Sequence, residues 1–237
     1  MAHDPQLTAF SDRDALAVAL VDQVEAALAS ALAAKERASL AVSGGSSPRT
    51  AYGLLAKRPL PWDRIDVVLV DERWVPPDAE GSNEAFVKET LIKDAANHAR
   101  LIGLWSDAED LRAGADAASQ ALATLTMPFD VVLLGLGPDG HTASWFPHAE
   151  GLAEALADDA PLVAAVRAVQ SEVTGALTER LTLSLPVVAA SSMIGLLMTG
   201  EAKRAVFEKA LEDGEVEDLP VRAILRRRPD IWVGWAP

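Results

Sequence analysis

Residues 129–147 read FDVVLLGLGPDGHTASWFP. The first six form a near-continuous apolar run rich in valine and leucine. A strand covered on both faces of a parallel sheet has this composition, because neither face meets water. The run ends in Gly135-Leu136-Gly137-Pro138-Asp139-Gly140, where glycines and a proline break any regular element. Moving outward, residues 65–70 (IDVVLV) repeat the pattern, and shorter strand patterns fall at 40–42, 100–104, 162–169, 180–185, 193–198 and 231–235. Between them, helical spacing covers 15–32 with Ser11 as the expected N-cap, then 50–56, 84–92, 109–125, 201–211 and 221–226. Pro48 suits the start of the second of these helices. Strands alternating with helices predict an α/β fold, a three-layer α/β/α arrangement with a mostly parallel, Rossmann-like sheet. No repeat and no Gly/Ser-rich linker interrupts the chain, so residues 1–237 are expected to form a single domain.

Half of the 237 residues are hydrophobic, enough to bury a full core. With no apolar run expected near 18 residues, no membrane span is predicted. The opening MAHDPQLTAF lacks a basic segment leading into an apolar one, so no signal peptide is expected. The chain has no cysteine, which removes disulfides, thiolate metal sites and a thiol nucleophile, and fits a cytoplasmic setting. The formal net charge is −14, so nucleic acid and anionic membranes are not expected partners. That field also repels a phosphorylated metabolite, and a site for one must gather cations locally.

Ligands of open parallel sheets bind outside the carboxyl ends of the strands. Three unusual segments each follow a predicted strand. Ser43-Gly44-Gly45-Ser46-Ser47-Pro48 offers a close backbone approach and free N–H groups for an anion. Asp71-Glu72-Arg73-Trp74-Val75-Pro76, with Ser82-Asn83 further on, puts two carboxylates and a guanidinium at a strand end. The third is the stretch quoted first. Its glycines match G-x-G-x-x-G, but Pro138 lies within the turn, Pro147 stops a crossover helix, and Asp158-Asp159 precedes a strand, so a dinucleotide is not expected. What it offers is His141 beside Asp139 on a glycine-rich turn, a side chain that exchanges protons near neutrality. Arg180 at a strand start and Lys203 at a helix start complete the candidate cations. Taken one at a time these features have plain readings: a turn, a surface ion-pair cluster with a cap at Ser82 or Asn83, a structural histidine and ordinary surface charges. Ser144 lacks a G-x-S-x-G elbow, and His141 and His148 have no third ligand nearby. No serine nucleophile, metal or cofactor is therefore expected.

Taken together, SGGSSP, DERWVP with SN after it, GLGPDGHTASWFP, ERLTLSLPV, TGEAKR and LPVRAIL resemble the motifs of the 6-phosphogluconolactonase and glucosamine-6-phosphate isomerase/deaminase superfamily, in order from about Ser43 to Leu225. The resemblance implies that Ser43, Gly44, Gly45, Arg180 and Lys203 hold a sugar phosphate, with Asn83 among the substrate-binding residues. The deaminase branch typically reads GHIAFNEP, with a glutamate that helps open the sugar ring. Phe146 stands at that glutamate's position here, and Arg73 stands where the deaminases usually carry tyrosine. Both departures imply the lactonase branch: hydrolysis of 6-phospho-D-glucono-1,5-lactone to 6-phosphogluconate in the oxidative pentose phosphate pathway. On that reading His141 is the general base, Asp71 or Asp139 holds its imidazole, and Arg73 with loop N–H groups stabilises the oxyanion. The implied partner is a small phosphorylated sugar lactone, bound by a monomer or weak homo-oligomer. The alternatives are the isomerase/deaminase reaction, or a sugar-phosphate-binding regulator without catalysis.

Overall fold

The computed structural model describes residues 5–237. The first part of the chain forms β1 (Leu7–Ala9), α1 (Arg13–Ala34), β2 (Ala38–Val42), α2 (Arg49–Leu55), β3 (Ile65–Leu69) and β4 (Asp71–Arg73). Next come α3 (Asn83–Thr90), β5 (Arg100–Ile102), α4 (Leu111–Leu122), β6 (Val131–Gly135), α5 (Leu152–Leu156) and β7 (Val163–Arg167). The chain ends with β8 (Glu179–Leu183), α6 (Leu185–Ala189), β9 (Met193–Thr199), α7 (Glu201–Leu211), α8 (Val221–Arg227) and β10 (Trp232–Ala236).

Seven strands form one sheet in the order β1-β10-β9-β6-β2-β3-β5. Every pairing in it is parallel. All residues of β2 and β3 are buried, as the apolar runs require. The aspartates that interrupt those runs are paired at the amino-terminal side: Asp66 takes a two-pronged contact from Arg37 (3.0 and 2.7 Å), and Asp130 takes Lys35 at 2.7 Å. Both charges thus lie away from the carboxyl ends, where the site forms.

A second sheet, β4-β8-β7, is antiparallel. The sequence puts residues 71–73 just past the end of a strand, and they form the edge strand of this second sheet. Val70 joins the two sheets: its N–H donates to Val42 of β2, and its carbonyl accepts from Leu183 (2.9 and 2.8 Å). The chain can therefore turn straight from a buried parallel strand into a charged one.

Two sequence expectations change at α1. Its cap is Asp12, whose carboxylate accepts from Ala15 N–H at 2.8 Å, while Ser11 bonds to Asp12 instead. By length and composition α1 also passes for a membrane span, with mean hydropathy 1.6, contrary to the expectation that no such stretch exists. Alanine supplies much of that hydropathy. Leu16, Leu20, Val21, Val24 and Leu28 are buried in the core, and Asp22 and Glu25 pair with Arg58. The helix is a core element.

From β2 the chain extends outward through β3 and β5 on one side, then crosses to β6, β9 and β10 on the other. Strand order reverses between β2 and β6. A crevice opens at the carboxyl ends of strands on either side of such a reversal.

Candidate active site

After β2, the 43–45 turn packs directly on Asn83. A Cβ at Gly44 would lie 2.0 Å from the Asn83 amide oxygen, so the contact requires glycine. Asn83 in turn donates to the Asp71 carbonyl at 2.8 Å, and buried Tyr52 donates to the Ser43 carbonyl at 2.8 Å. These bonds fix the loop from below and leave its face open.

After β6, the chain closes a tight turn in which Gly137 N–H donates to the His141 carbonyl (2.8 Å) and Gly140 N–H to the Gly137 carbonyl (3.1 Å). A Cβ at Gly137 would meet the His141 ring at 2.1 Å, so only glycine lets the imidazole lie against the turn. The N–H of Val221, at the start of α8, holds the Gly140 carbonyl at 2.9 Å. His141 Nδ1 lies 2.5 Å from Asp139 Oδ1, which also accepts from the His141 backbone N–H at 3.2 Å. Burial pushes the Asp139 carboxyl up, but the hydrogen bond and charge of His141 more than offset it, and it ends below its ordinary value. With Nδ1 taken up by Asp139, Nε2 is the ring nitrogen left for chemistry.

Asp71 does not touch the imidazole. Its Oδ2 accepts from Ser144 Oγ at 2.7 Å, and Ser144 is fully buried. Of the two aspartates the sequence left open, Asp139 makes the contact. Ser144 props Asp71 and is not presented as a nucleophile.

Glu72 is fully buried and has a different task. It accepts from the N–H groups of Arg73 (2.8 Å), Asn83 (2.6 Å) and Glu84 (2.8 Å), and from Ser82 Oγ (3.0 Å). Burial raises its carboxyl above the usual range, and these donors oppose the rise. Glu72 thus ties β4 to the amino end of α3, where a carboxylate complements free N–H groups. Ser82 caps the same helix through Ala85 N–H at 3.2 Å. The cap at Ser82 is realised but the surface ion-pair cluster is not: Ser82 and buried Glu72 build the helix start, and Asp71, Arg73 and Asn83 line the cavity.

The cations are the unusual feature. Arg73 and Arg180 sit directly opposite each other across β4 and β8. Arg180 is buried and donates to the carbonyls of Leu177 (2.8 Å) and Thr174 (3.1 Å). Arg73 donates to the Gly81 carbonyl, and its buried Nε has no partner. Burial, then the neighbouring Arg73 charge, push Arg180 down to about 10, against the pull of Asp71 and Glu72. Lys203, in the first turn of α7, reaches Ser47 Oγ at 3.4 Å; burial and the charge of Arg13 lower it too. Among the described residues, none of the three cations is ion-paired with a carboxylate. Like charges placed opposite each other are destabilising, and the arrangement suits a bound anion.

One cavity of about 230 Å³ is lined by Ser43, Gly44, Gly45, Asp71, Arg73, Asn83, His141, Arg180 and Lys203. Asp139 stands behind His141. Ser46, Ser47, the 135–138 turn, Ala143, Phe146 and Val173 also line the cavity and were not singled out as contacts from sequence. Ala143 holds φ near +50, an unusual backbone for a residue with a side chain and one found at functional sites. Val173 comes from a segment with no sequence signal. The Phe146 ring lies 4.3 Å from the His141 ring and 5.3 Å from the Arg180 guanidinium carbon. Among the described residues, no group of three or more His, Asp or Glu side chains is arranged to hold a metal ion.

The fold and the cavity define an α/β protein with a cation-lined crevice at the carboxyl ends of its parallel strands. The family described as glucosamine-6-phosphate isomerases/6-phosphogluconolactonase matches residues 11–233, and the chain belongs to it. Within that family the chain is similar to the 6-phosphogluconolactonase of Rhizobium meliloti (strain 1021), with 42% identity covering 96% of this chain and 97% of the relative. The 6-phosphogluconolactonase of Mesorhizobium japonicum is 41% identical, covering 97% of this chain and 94% of the relative. The crystal structure of a 6-phosphogluconolactonase from Shewanella baltica OS155 matches with a TM-score of 0.94 and 36% identity over 100% of both chains.

Proposed function

We propose that this chain, acting as one domain and as a monomer or weak homo-oligomer in the cytoplasm, hydrolyses 6-phospho-D-glucono-1,5-lactone to 6-phosphogluconate. The observation that carries the reading is one cavity in which a carboxylate-backed imidazole faces three cations without carboxylate partners. The phosphate is held by the Ser43-Gly44-Gly45 turn, Arg180 and Lys203, which places the lactone carbonyl near His141. His141 Nε2 takes a proton from water as the water oxygen attacks the carbonyl carbon. Arg73 and loop N–H groups stabilise the resulting oxyanion. The intermediate collapses by breaking the bond to the ring oxygen, which receives the proton from the imidazolium. Asp139 keeps Nδ1 protonated and the ring oriented throughout. Asp71, fixed by Ser144, and Asn83 accept from and donate to the sugar hydroxyls. A lactone is already an activated ester, so these steps need neither a metal nor a covalent nucleophile.

The test is loss of enzymatically generated lactone against its spontaneous rate without added metal, run beside ammonia release from glucosamine 6-phosphate. Accelerated lactone loss with no ammonia is the expected result. Ammonia release, or lactone loss at the spontaneous rate, overturns the reading.

A further inference from the structure

The segment that carries Phe146 is held unusually firmly. Trp145 is fully buried and its indole N–H donates to the Leu183 carbonyl at 3.0 Å, while Ser144 N–H donates to Thr182 Oγ1 at 3.3 Å. With the Ser144–Asp71 bond, these contacts fix residues 144–146 to β8 and β4. The ring of Phe146, itself only 3% exposed, is thereby set between the two working groups of the cavity. It packs on the imidazole at a tilt of 34° and lies under the guanidinium of Arg180.

An aromatic ring suits this position for a physical reason. The face of the ring attracts a cation without neutralising it. A carboxylate in the same place would pair with Arg180 and compete with an incoming phosphate. An aliphatic side chain would fill the space but offer no negative face. The ring also covers one face of the imidazole, and Asp139 occupies Nδ1, so the ring nitrogen facing the cavity is defined from two directions. We infer that Phe146 is a positioning residue that couples the base to the anion clamp: one rigid side chain sets the orientation of both His141 and Arg180. The inference rests on the lactonase reading for its kcat arm and on anion binding alone for the other.

The experiment compares Phe146→Leu with Phe146→Tyr, following lactone hydrolysis and, separately, the affinity for inorganic phosphate by calorimetry. Phe146→Leu is expected to weaken phosphate binding about 3- to 30-fold and to lower kcat as well. Phe146→Tyr keeps the ring and is expected to restore both to within about threefold. A purely structural residue would lower the fraction of folded protein and leave Kd and kcat of the folded enzyme unchanged. The inference is overturned if Phe146→Leu changes only one of the two quantities, if tyrosine fails to rescue, or if the wild-type chain binds no phosphate. Should the leucine variant not fold, Phe146→Met carries the same comparison. If the wild-type protein binds phosphate but does not hydrolyse the lactone, the proposed reaction fails and the coupling to the base fails with it; if it hydrolyses the lactone and phosphate affinity is insensitive to Phe146, the inference fails while the reaction stands.

Discussion

Strands β2 and β6 hold mainly aliphatic side chains and reach the site through the turns at their carboxyl ends, whereas β4 and β8 carry Asp71, Glu72, Arg73 and Arg180 on the strands themselves. In the parallel sheet, burial of apolar surface sets the strand positions, and the loops inherit a fixed geometry. In the antiparallel sheet charged groups are buried beside apolar ones, and each charge has to be compensated individually. Glu72 is compensated within the protein by four donors; Arg73 and Arg180 donate to main-chain carbonyls and, among the described residues, pair with no carboxylate. Substitutions on the parallel-sheet loops should therefore change chemistry more than stability, and substitution of the internally compensated charge should do the reverse.

The largest effect is expected at His141. His141→Ala should lower kcat by about 100-fold or more, with a melting temperature close to wild type, because the ring fills part of an open cavity. Near-wild-type turnover, measured on the purified variant, would remove the base from the scheme. Asp139→Asn comes next, with a fall in kcat of at least about tenfold from loss of the correct tautomer. Stability adds a second readout here. The folded-state value of Asp139 lies below its ordinary 3.8, so its contribution is present above that pH and is lost as pH falls through the lower folded value. The gap in unfolding free energy between wild type and Asp139→Asn should narrow in acid below about pH 3.8. A gap that widens as pH falls below that value contradicts the pairing.

Glu72→Gln should cost about 1–3 kcal/mol in chemical denaturation, since it leaves buried donors imperfectly matched. Its kcat at low temperature should stay within about threefold of wild type. A large fall in kcat with little loss of stability would erase the distinction between the two sheets.

The same contrast explains what the sequence conveys. Runs such as IDVVLV declare themselves because double-sided burial leaves a one-dimensional signature, and the parallel strands lie close to where that signature puts them. Residues 71–73 form a strand although all three are charged, because their pairing partner lies more than 100 residues away in β8. The short helices α5 and α6, five residues each, carry too few turns for a period to show. At the site, a glycine-rich turn after a strand singled out His141, and a strand start and a helix start singled out Arg180 and Lys203; taken singly each also had a plain reading, and the structure brings all three to one cavity. Choosing between Asp71 and Asp139 was not possible from spacing, since it depends on how the 137–141 turn closes. The double contact of Phe146 depends on β8 in the same way.

The outer strand β1 has one more consequence. Residues Leu7–Ala9 pair with Val233, Gly234 and Trp235, so β1 is held by a strand more than 200 residues further along the chain. A chain emerging from the ribosome can assemble β2, β3 and β6, and with them the base and much of the anion loop, long before β1 has anything to bond to. The edge of the sheet closes only once β10 is in place, and it links segments more than 200 residues apart in sequence around a site whose central strands lie elsewhere in the sheet.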